Sequence, residues 1–326
     1  MFEKKMAMFY ILDILKEYTD KDHRLSQKEI IDKLNELYCI EIERKTISST
    51  IDLLKDYGYD IERENGGYYL AEREFNEHEI KYLIDAIYSS KTIPGAQANE
   101  LSKKLYSLLS RYERKDYSYL YKSTEINRST NKEIFYNIEC INEAIKEKKQ
   151  IMYNYIQYNE IGQLCEPTKQ NTRYVSPYFL VNNFNKYYLV CSMAKGGHNI
   201  FRVEYIKNIK VMDKAARKYE DVSDLAKYND ITKYINDHIY MFGGEVNNHI
   251  QIELLTDKAS TYVMDWFGNN ARIYKDNDTI YANIKCNENA FFYWALQYQE
   301  HIKVLNPPQM VDRIITALEE NLKKYK

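Results

Sequence analysis

Three successive helices are predicted at the start of the chain, because apolar residues recur there at intervals of three and four positions. Ser26 and Glu29 have the spacing of a capping box at the start of the second helix, and Gly58 ends the third. Asn65-Gly66 then separates two short apolar segments, which predicts a β-hairpin. The inward positions are Met8, Ile11, Leu12, Leu15 and Tyr18 in the first helix, Ile30, Ile31, Leu34 and Leu37 in the second, and Ile47, Ile51 and Leu54 in the third.

Helical spacing continues through residues 75–146, which predicts a helical connector. One helix begins at Glu77, and a second runs from Gln97 to Tyr112. After a tyrosine-rich stretch at 117–121, a third helix places Ile134, Ile138, Ile141 and Ile145 on one face.

From residue 151 the apolar positions alternate instead, which predicts strands over 151–155, 173–181, 187–191 and 200–203. Asn182 to Asn185 forms the turn between the second and the third of these strands. Short strands this close together, within about 60 residues, favour a small β-barrel over an open sheet.

The last part of the chain mixes both periodicities. A polar helix is predicted over 221–238, and a β-α-β-β-α-β order then follows up to residue 305, which predicts a ferredoxin-like layer. A final helix from Pro307 to Lys324 is expected to bury Val311, Ile314, Ile315 and Leu318. The fold class is therefore α+β, with predicted domains at 1–74, 75–146, 147–215 and 216–326.

Composition is that of a soluble protein with several domains: 326 residues, 44% hydrophobic and 29% charged. The first apolar segment resembles a signal peptide, but Asp13, Lys16 and Glu17 interrupt it, so we predict a cytoplasmic protein. The five cysteines are scattered and form no C-x-x-C. Free thiols are expected, and no metal or other cofactor is predicted.

The third helix has an unusual polar surface. Arg44 and Lys45 lie at its N-terminus, where the helix dipole disfavours cations, and Ser48, Ser49 and Thr50 are poor helix formers. Such residues suit a recognition helix in the major groove. The predicted DNA-binding residues are Lys28, Arg44, Lys45, Thr46, Ser48, Ser49 and Arg63. Residues 1–74 hold 12 Lys/Arg against 17 Asp/Glu, however, so a protein-interaction module is the alternative.

The segment from Asn171 to Lys210 has the opposite balance, with six Lys/Arg and a single acid, Glu204. Its tyrosines and arginines suit an anionic ligand that contains a base, because guanidinium groups bind phosphate and aromatic rings stack on bases. The other possibility is structural: Arg173 and Arg202 could pair with Glu204 or Glu166.

Several motifs resemble those of bacterial WYL-domain transcriptional regulators. Ser26-Gln27-Lys28-Glu29-Ile30 and Arg44-Lys45-Thr46-Ile47 are similar to their N-terminal winged helix-turn-helix domain, and R-Y-V-S-P-Y-x-L, K-Y-Y-L-V and F-R-V-E-Y-I to their WYL domain, an Sm-like barrel. Val304-Leu305-Asn306-Pro307-Pro308 resembles their C-terminal extension.

This resemblance implies an effector site at Tyr155, Arg173, Ser176, Tyr187, Tyr188 and Arg202, to which we add Tyr205. The chain departs from the family at Glu204-Tyr205, where Asp-Arg is usual, and at Ser48, Ser49 and Thr50 in the recognition helix.

The leading hypothesis is a homodimeric transcriptional regulator that binds double-stranded DNA and senses a nucleotide or a nucleic acid. The second hypothesis is an accessory protein that binds RNA or single strands through the basic β module. An enzyme has little support, because G-x-x-x-x-G-K-[ST], H-E-x-x-H and G-x-S-x-G are all absent from the sequence.

Overall fold

Two structural units divide the chain, residues 1–130 and residues 131–326. The computed structural model describes residues 2–114, 129–228 and 230–326. The tyrosine-rich stretch at 117–121 lies outside the described residues. The division falls inside the predicted connector, so two of its helices belong to the first unit and one to the second.

The first unit begins with three helices and a two-stranded antiparallel sheet, in the predicted order, followed by two more helices. The elements are α1 (Phe2–Tyr18), α2 (Gln27–Tyr38), α3 (Arg44–Tyr57), β1 (Ile61–Glu64), β2 (Gly67–Leu70), α4 (Glu77–Ser89) and α5 (Gly95–Tyr106).

Local signals in the sequence define these elements. Both hydrogen bonds of the Ser26–Glu29 capping box are present. Asn65 (φ 49°) and Gly66 (φ 82°) form the tight turn between β1 and β2, a backbone conformation that Asn-Gly adopts easily. Ile30, Leu34 and Ile47 are fully buried in the common core.

Three details of the first unit differ from the prediction. Leu37 on α2 was expected to face inward, but it is 43% exposed. Thr50 is 8% exposed, so it belongs to the inner side of α3 and not to its polar surface. The helix that was expected to reach Tyr112 ends at Tyr106, and Leu108 beyond it is exposed.

The second unit begins with a helix and a five-stranded antiparallel sheet. The elements are α6 (Ile134–Glu147), β3 (Lys149–Tyr155), β4 (Thr172–Asn183), β5 (Lys186–Ser192), β6 (His198–Arg202) and β7 (Ile206–Ala215). The strand order is β6-β5-β4-β3-β7. No ladder joins β6 to β7 in the part of the chain that the structure describes, so the sheet is open and the predicted closed barrel is not found.

Two buried asparagines attach α6 and the short segment before it to the edge of this sheet. The Asn131 Nδ2 atom donates to the carbonyl oxygens of Glu204 (3.0 Å) and Ile206 (2.9 Å). The Asn137 Nδ2 atom donates to the same Ile206 oxygen at 2.9 Å. These bonds fix the 3₁₀ turn Val203–Tyr205 between β6 and β7, because buried carbonyl groups have no water to replace a lost donor.

A second sheet follows, in the predicted β-α-β-β-α-β order. The elements are α7 (Ile231–Asp237), β8 (Val246–Leu254), α8 (Ala259–Phe267), β9 (Ala271–Asp276), β10 (Thr279–Asn287), α9 (Glu288–Gln297), β11 (Ile302–Asn306) and α10 (Pro308–Lys324). All pairs are antiparallel, and the strand order is β11-β8-β10-β9. The ferredoxin-like prediction requires this order.

Two predictions for this region are wrong. The helix expected over 221–238 covers only α7, because Val222, Leu225 and Tyr228 are buried through turns, and the Tyr219 hydroxyl donates to two carbonyls in those turns. In α10, Ile315 is 48% and Leu318 is 39% exposed, because the helix packs on the core through Met310, Ile314 and Ala317 instead.

Among the described residues, no helix is both long and apolar enough to cross a lipid bilayer.

The hydrogen bonds of Asn131 are expected to stabilise the folded protein. Asn131→Ala leaves the Glu204 carbonyl without this donor and weakens the hold on Ile206, so we expect the free energy of unfolding to fall by about 2 kcal/mol. Asn142→Ala is the control, because Asn142 is exposed on α6. It should change stability by less than about 0.5 kcal/mol. Urea denaturation of the full chain measures both, and equal effects would contradict the role of Asn131.

Candidate functional site

The N-terminal end of α3 presents a polar surface to solvent. Arg44, Lys45, Thr46 and Ser49 are exposed there. Ser48 is half-buried, and its hydroxyl accepts a hydrogen bond from the Gln27 amide at 2.5 Å. Ser48 therefore joins α2 to α3, and the free polar surface is narrower than the sequence predicted.

Two further predicted DNA-binding residues lie on neighbouring elements. Lys28 is exposed on α2, and Arg63 is exposed on β1, with its guanidinium 5.2 Å from the centre of the Tyr68 ring. Among the described residues, no carboxylate forms an ion pair with Lys28, Arg44, Lys45 or Arg63. Their charges are available to phosphate groups.

Acidic residues precede this surface directly. Glu41 and Glu43 are exposed just before Arg44, and Glu43 is the N-cap residue of α3 without making a side-chain cap. Both carboxylates oppose the approach of a phosphate group.

The five-stranded sheet divides the predicted effector residues between its two faces. Arg173 on β4 is directly opposite Tyr153 on β3, and Tyr155 lies two residues further along β3. Alternation places all three on the same face, and Tyr187 belongs to the apolar cluster on that face. Tyr188 is directly opposite Arg202, and both lie on the other face.

The two predicted arginines have different electrostatic surroundings. The Arg173 Nη1 atom donates to the backbone carbonyls of Gln170 and Thr172, both at 3.1 Å, and these carbonyls carry no net charge. Arg202 instead forms an ion pair with Glu204, which is 8% exposed. The structural alternative considered for Arg202 is therefore observed, whereas Arg173 has no ion-pair partner among the described residues.

Arg202 is the centre of an aromatic cluster. Its guanidinium lies 4.7 Å from the centre of the Tyr205 ring, and its backbone N–H donates to the Tyr155 hydroxyl at 3.3 Å. Tyr205 contacts both Tyr155 and Tyr158, with ring centres 6.0 Å apart in each pair. Tyr158 was not predicted. Tyr205 thus connects residues from the two faces of the sheet.

The charge states in this cluster follow from burial. Burial raises the pKa of Tyr155, Tyr188 and Tyr205, so their hydroxyls remain protonated at neutral pH. Burial alone would lower the pKa of Arg202, but the hydrogen bond and charge of Glu204 outweigh that effect and raise it. The cluster therefore contains one compensated cation and several neutral hydroxyl groups.

Ser176 lies apart from that cluster and supports a cavity. It is buried, and its hydroxyl accepts a hydrogen bond from the Arg217 backbone N–H at 2.8 Å. Arg217 lines a cavity of about 970 Å³ together with Tyr178, Phe179 and Tyr219. The sequence prediction missed these four residues. Tyr178 could have been predicted, because it follows Ser176-Pro177 directly in the sequence. Arg217 could not, because it comes from a distant segment of the chain.

Cys191 and His198 do not form a nucleophile–base pair. Cys191 packs in the cluster beneath one face of the sheet, and His198 lies on the other face with its Nδ1 atom 2.6 Å from Asp224. Burial raises the pKa of the Cys191 thiol far above neutrality. In the described ranges, no group of three His, Cys, Asp or Glu residues could hold a metal ion.

Comparison with protein families identifies the part of the chain that forms the five-stranded sheet. Residues 137–211 match the family model of the WYL domain, so the chain contains a WYL domain. No curated protein matches the chain.

Two solved structures are similar to the chain at low identity. One is proteasome accessory factor B/C (PafBC) of Arthrobacter aurescens, at 15% identity and a TM-score of 0.28 over 99% of this chain and 54% of that one. The chain therefore spans about half the length of PafBC. The other is a CRISPR Cas-related protein, at 16% identity and a TM-score of 0.38 over 98% and 85%. Likeness this distant does not identify a function.

The ion pair between Arg202 and Glu204 is expected to be required for stability, because Glu204 is buried. Arg202→Gln leaves Glu204 buried without its cation, so the free energy of unfolding should fall by about 3 kcal/mol. Adding Glu204→Gln to this variant removes the unpaired charge and should restore part of the loss. Arg272→Gln, on the exposed surface of β9, is the control. A single variant as stable as the control would contradict the structural role of the pair; guanidinium denaturation gives all four values.

Proposed function

We propose that the protein is a transcriptional regulator that binds double-stranded DNA and uses its WYL domain to sense a nucleotide or nucleic-acid ligand. The observation that carries the proposal is the WYL domain at 137–211, which follows three helices and a hairpin that expose an arginine–lysine pair. The regulator is proposed to be cytoplasmic and without catalytic activity.

The DNA-binding part of the proposal uses α2, α3 and the β1–β2 hairpin as a winged helix-turn-helix. In that arrangement the N-terminal end of α3 enters the major groove, and Arg44, Lys45, Thr46 and Ser49 contact bases and phosphates. Arg63 on the hairpin and Lys28 on α2 would contact the flanking backbone. Because Glu41 and Glu43 weaken each copy, two copies in a homodimer would provide the affinity.

The sensing part of the proposal rests on charge and aromatic surface. Arg173 is the predicted effector arginine without an ion-pair partner in the described part of the chain, and it shares a face with Tyr155 and Tyr187. A guanidinium group binds a phosphate in bidentate geometry, and tyrosine rings stack on bases. We therefore assign ligand contact first to Arg173 and give Arg202 a structural part.

A second candidate function is an accessory protein that binds RNA or a single strand through the same sheet. The acidity of residues 1–74 favours it, with 12 Lys/Arg against 17 Asp/Glu. In that case the exposed end of α3 would contact another protein, and duplex DNA would not bind.

DNA binding is tested with the double variant Arg44→Ala/Lys45→Ala. We expect its affinity for the region upstream of its own gene to fall about tenfold or more, and the salt dependence of binding to decrease by about two phosphate contacts. Footprinting and anisotropy titrations at several salt concentrations measure both.

The matched control is Lys21→Ala/Lys55→Ala, which removes two exposed lysines from the same unit, one at the far end of α3. It should bind nearly as well as the original protein. Equal affinity of the two double variants would remove the recognition-helix assignment.

Ligand sensing is tested with Arg173→Gln. We expect its affinity for a short fluorescent single-stranded oligonucleotide to fall about tenfold, because a charge-assisted contact to phosphate is lost. Fluorescence anisotropy measures the affinity, and Arg272→Gln, exposed in the other sheet of the same unit, is the control. If Arg173→Gln binds like the control, the sheet does not contact the ligand through this arginine.

A further inference from the structure

A second, smaller cavity lies in the unit formed by residues 131–326, and none of the predicted effector residues is in its lining. Its volume is about 250 Å³. It is lined by Lys227, Tyr228, Lys233, Asp237, Val246, Asn248 and Lys285. Three of these side chains are ammonium groups and one is a carboxylate, so the lining carries a net positive charge.

The single carboxylate is fully engaged. Asp237 is 1% exposed, and its Oδ2 atom accepts from Lys285 Nζ at 2.6 Å and from the Tyr228 hydroxyl at 3.0 Å. Its Oδ1 atom accepts from the Asn270 amide at 2.9 Å. Burial and the charge of Asp237 raise the pKa of Tyr228, which keeps this hydroxyl protonated as a donor. Asp237 therefore compensates one lysine only.

The other two lysines have no such partner. Lys227 and Lys233 are exposed at the cavity, and no carboxylate in the described ranges lies within ion-pair distance of either. The Lys227 ammonium lies 5.3 Å from the centre of the Tyr228 ring, so an aromatic contact holds it beside the cavity. Like charges that converge on a concave surface repel each other, and a bound anion removes that repulsion.

The strand opposite Lys285 is irregular at this point. The ladder between β10 and β8 shifts between Ile284 and Cys286, so that Lys285 on β10 is opposite both Asn248 and His249 on β8, which carries one extra residue. Asn247 fixes the irregularity, because its Oδ1 atom accepts from the His249 N–H at 2.8 Å and its amide donates to Glu288 at 3.0 Å. Bulges of this kind redirect side chains and are frequent at functional sites. Here the bulge in β8 places Asn248 in the lining, opposite Lys285.

We propose that this cavity binds a dianionic phosphate group. The two uncompensated ammonium groups of Lys227 and Lys233 match the charge of a phosphate dianion, and Lys285 and the Asn248 amide can supply further donors to its oxygens. At about 250 Å³ the cavity accommodates a phosphate with a small attached group, carried by a small molecule or by the end of a nucleic-acid strand. The site is separate from Arg173 and from α3, so it does not depend on the function proposed above.

Titration of the full chain with inorganic phosphate at constant ionic strength tests the site, with ³¹P NMR and calorimetry as readouts. We expect saturable binding that weakens about tenfold or more in Lys227→Gln/Lys233→Gln, because two charge-assisted contacts are lost. The control Lys303→Gln/Lys323→Gln removes two exposed lysines elsewhere in the same unit and should bind phosphate normally.

Absence of saturable phosphate binding, or equal weakening in the two double variants, would overturn the proposal. Circular dichroism and thermal unfolding establish that both variants are folded. A dinucleotide with a 5′-phosphate, compared with the same dinucleotide ending in a 5′-hydroxyl, then identifies the source of the phosphate. Tighter binding of the phosphorylated form, lost in Lys227→Gln/Lys233→Gln, assigns the site to a strand end; equal binding assigns it to a small molecule.

Discussion

The hydrogen bonds from Asn131 and Asn137 to the carbonyls of Glu204 and Ile206 are the constraint on which the WYL domain depends. They hold the turn that carries Glu204 and Tyr205 against α6, and that turn places Tyr205 between Tyr155 and Arg202. Buried carbonyls without donors would destabilise any other position of the turn. The arrangement of the aromatic cluster is therefore decided by polar contacts behind it.

The charged residues of the two units differ in whether a carboxylate neutralises them. The ion pair with Glu204 makes Arg202 part of the framework, whereas Arg173 donates to two neutral carbonyls and has no ion pair within the described part of the chain. Among the described residues, the exposed cations at the start of α3 are not paired in this way, but Glu41 and Glu43 directly precede them and reduce the local positive charge. Under the proposed function, such a regulator would bind DNA weakly as one copy, and its control would depend on a second copy and on its ligand.

Much of the fold was predictable because its signals are local. The capping box at Ser26 and the Asn65-Gly66 turn each involve neighbouring residues, and both were found as predicted. Predictions failed where distant contacts decide: Val222, Leu225 and Tyr228 have nearly helical spacing but are buried through turns. The same limit applies to the site. From the sequence, the ion pair of Arg202 was only one of the alternatives. Arg217 forms hydrogen bonds with Tyr178 and Ser176, which lie 39 and 41 positions away in the chain.

The central claim is that ligand binding to the WYL domain controls DNA binding. The most direct measurement is the affinity of the full chain for the region upstream of its own gene, with and without a saturating short single-stranded oligonucleotide. The account predicts a change of about fivefold or more, in either direction. Arg173→Gln should lose this change and keep the DNA affinity of the ligand-free protein. The same DNA affinity with and without saturating oligonucleotide would contradict the account.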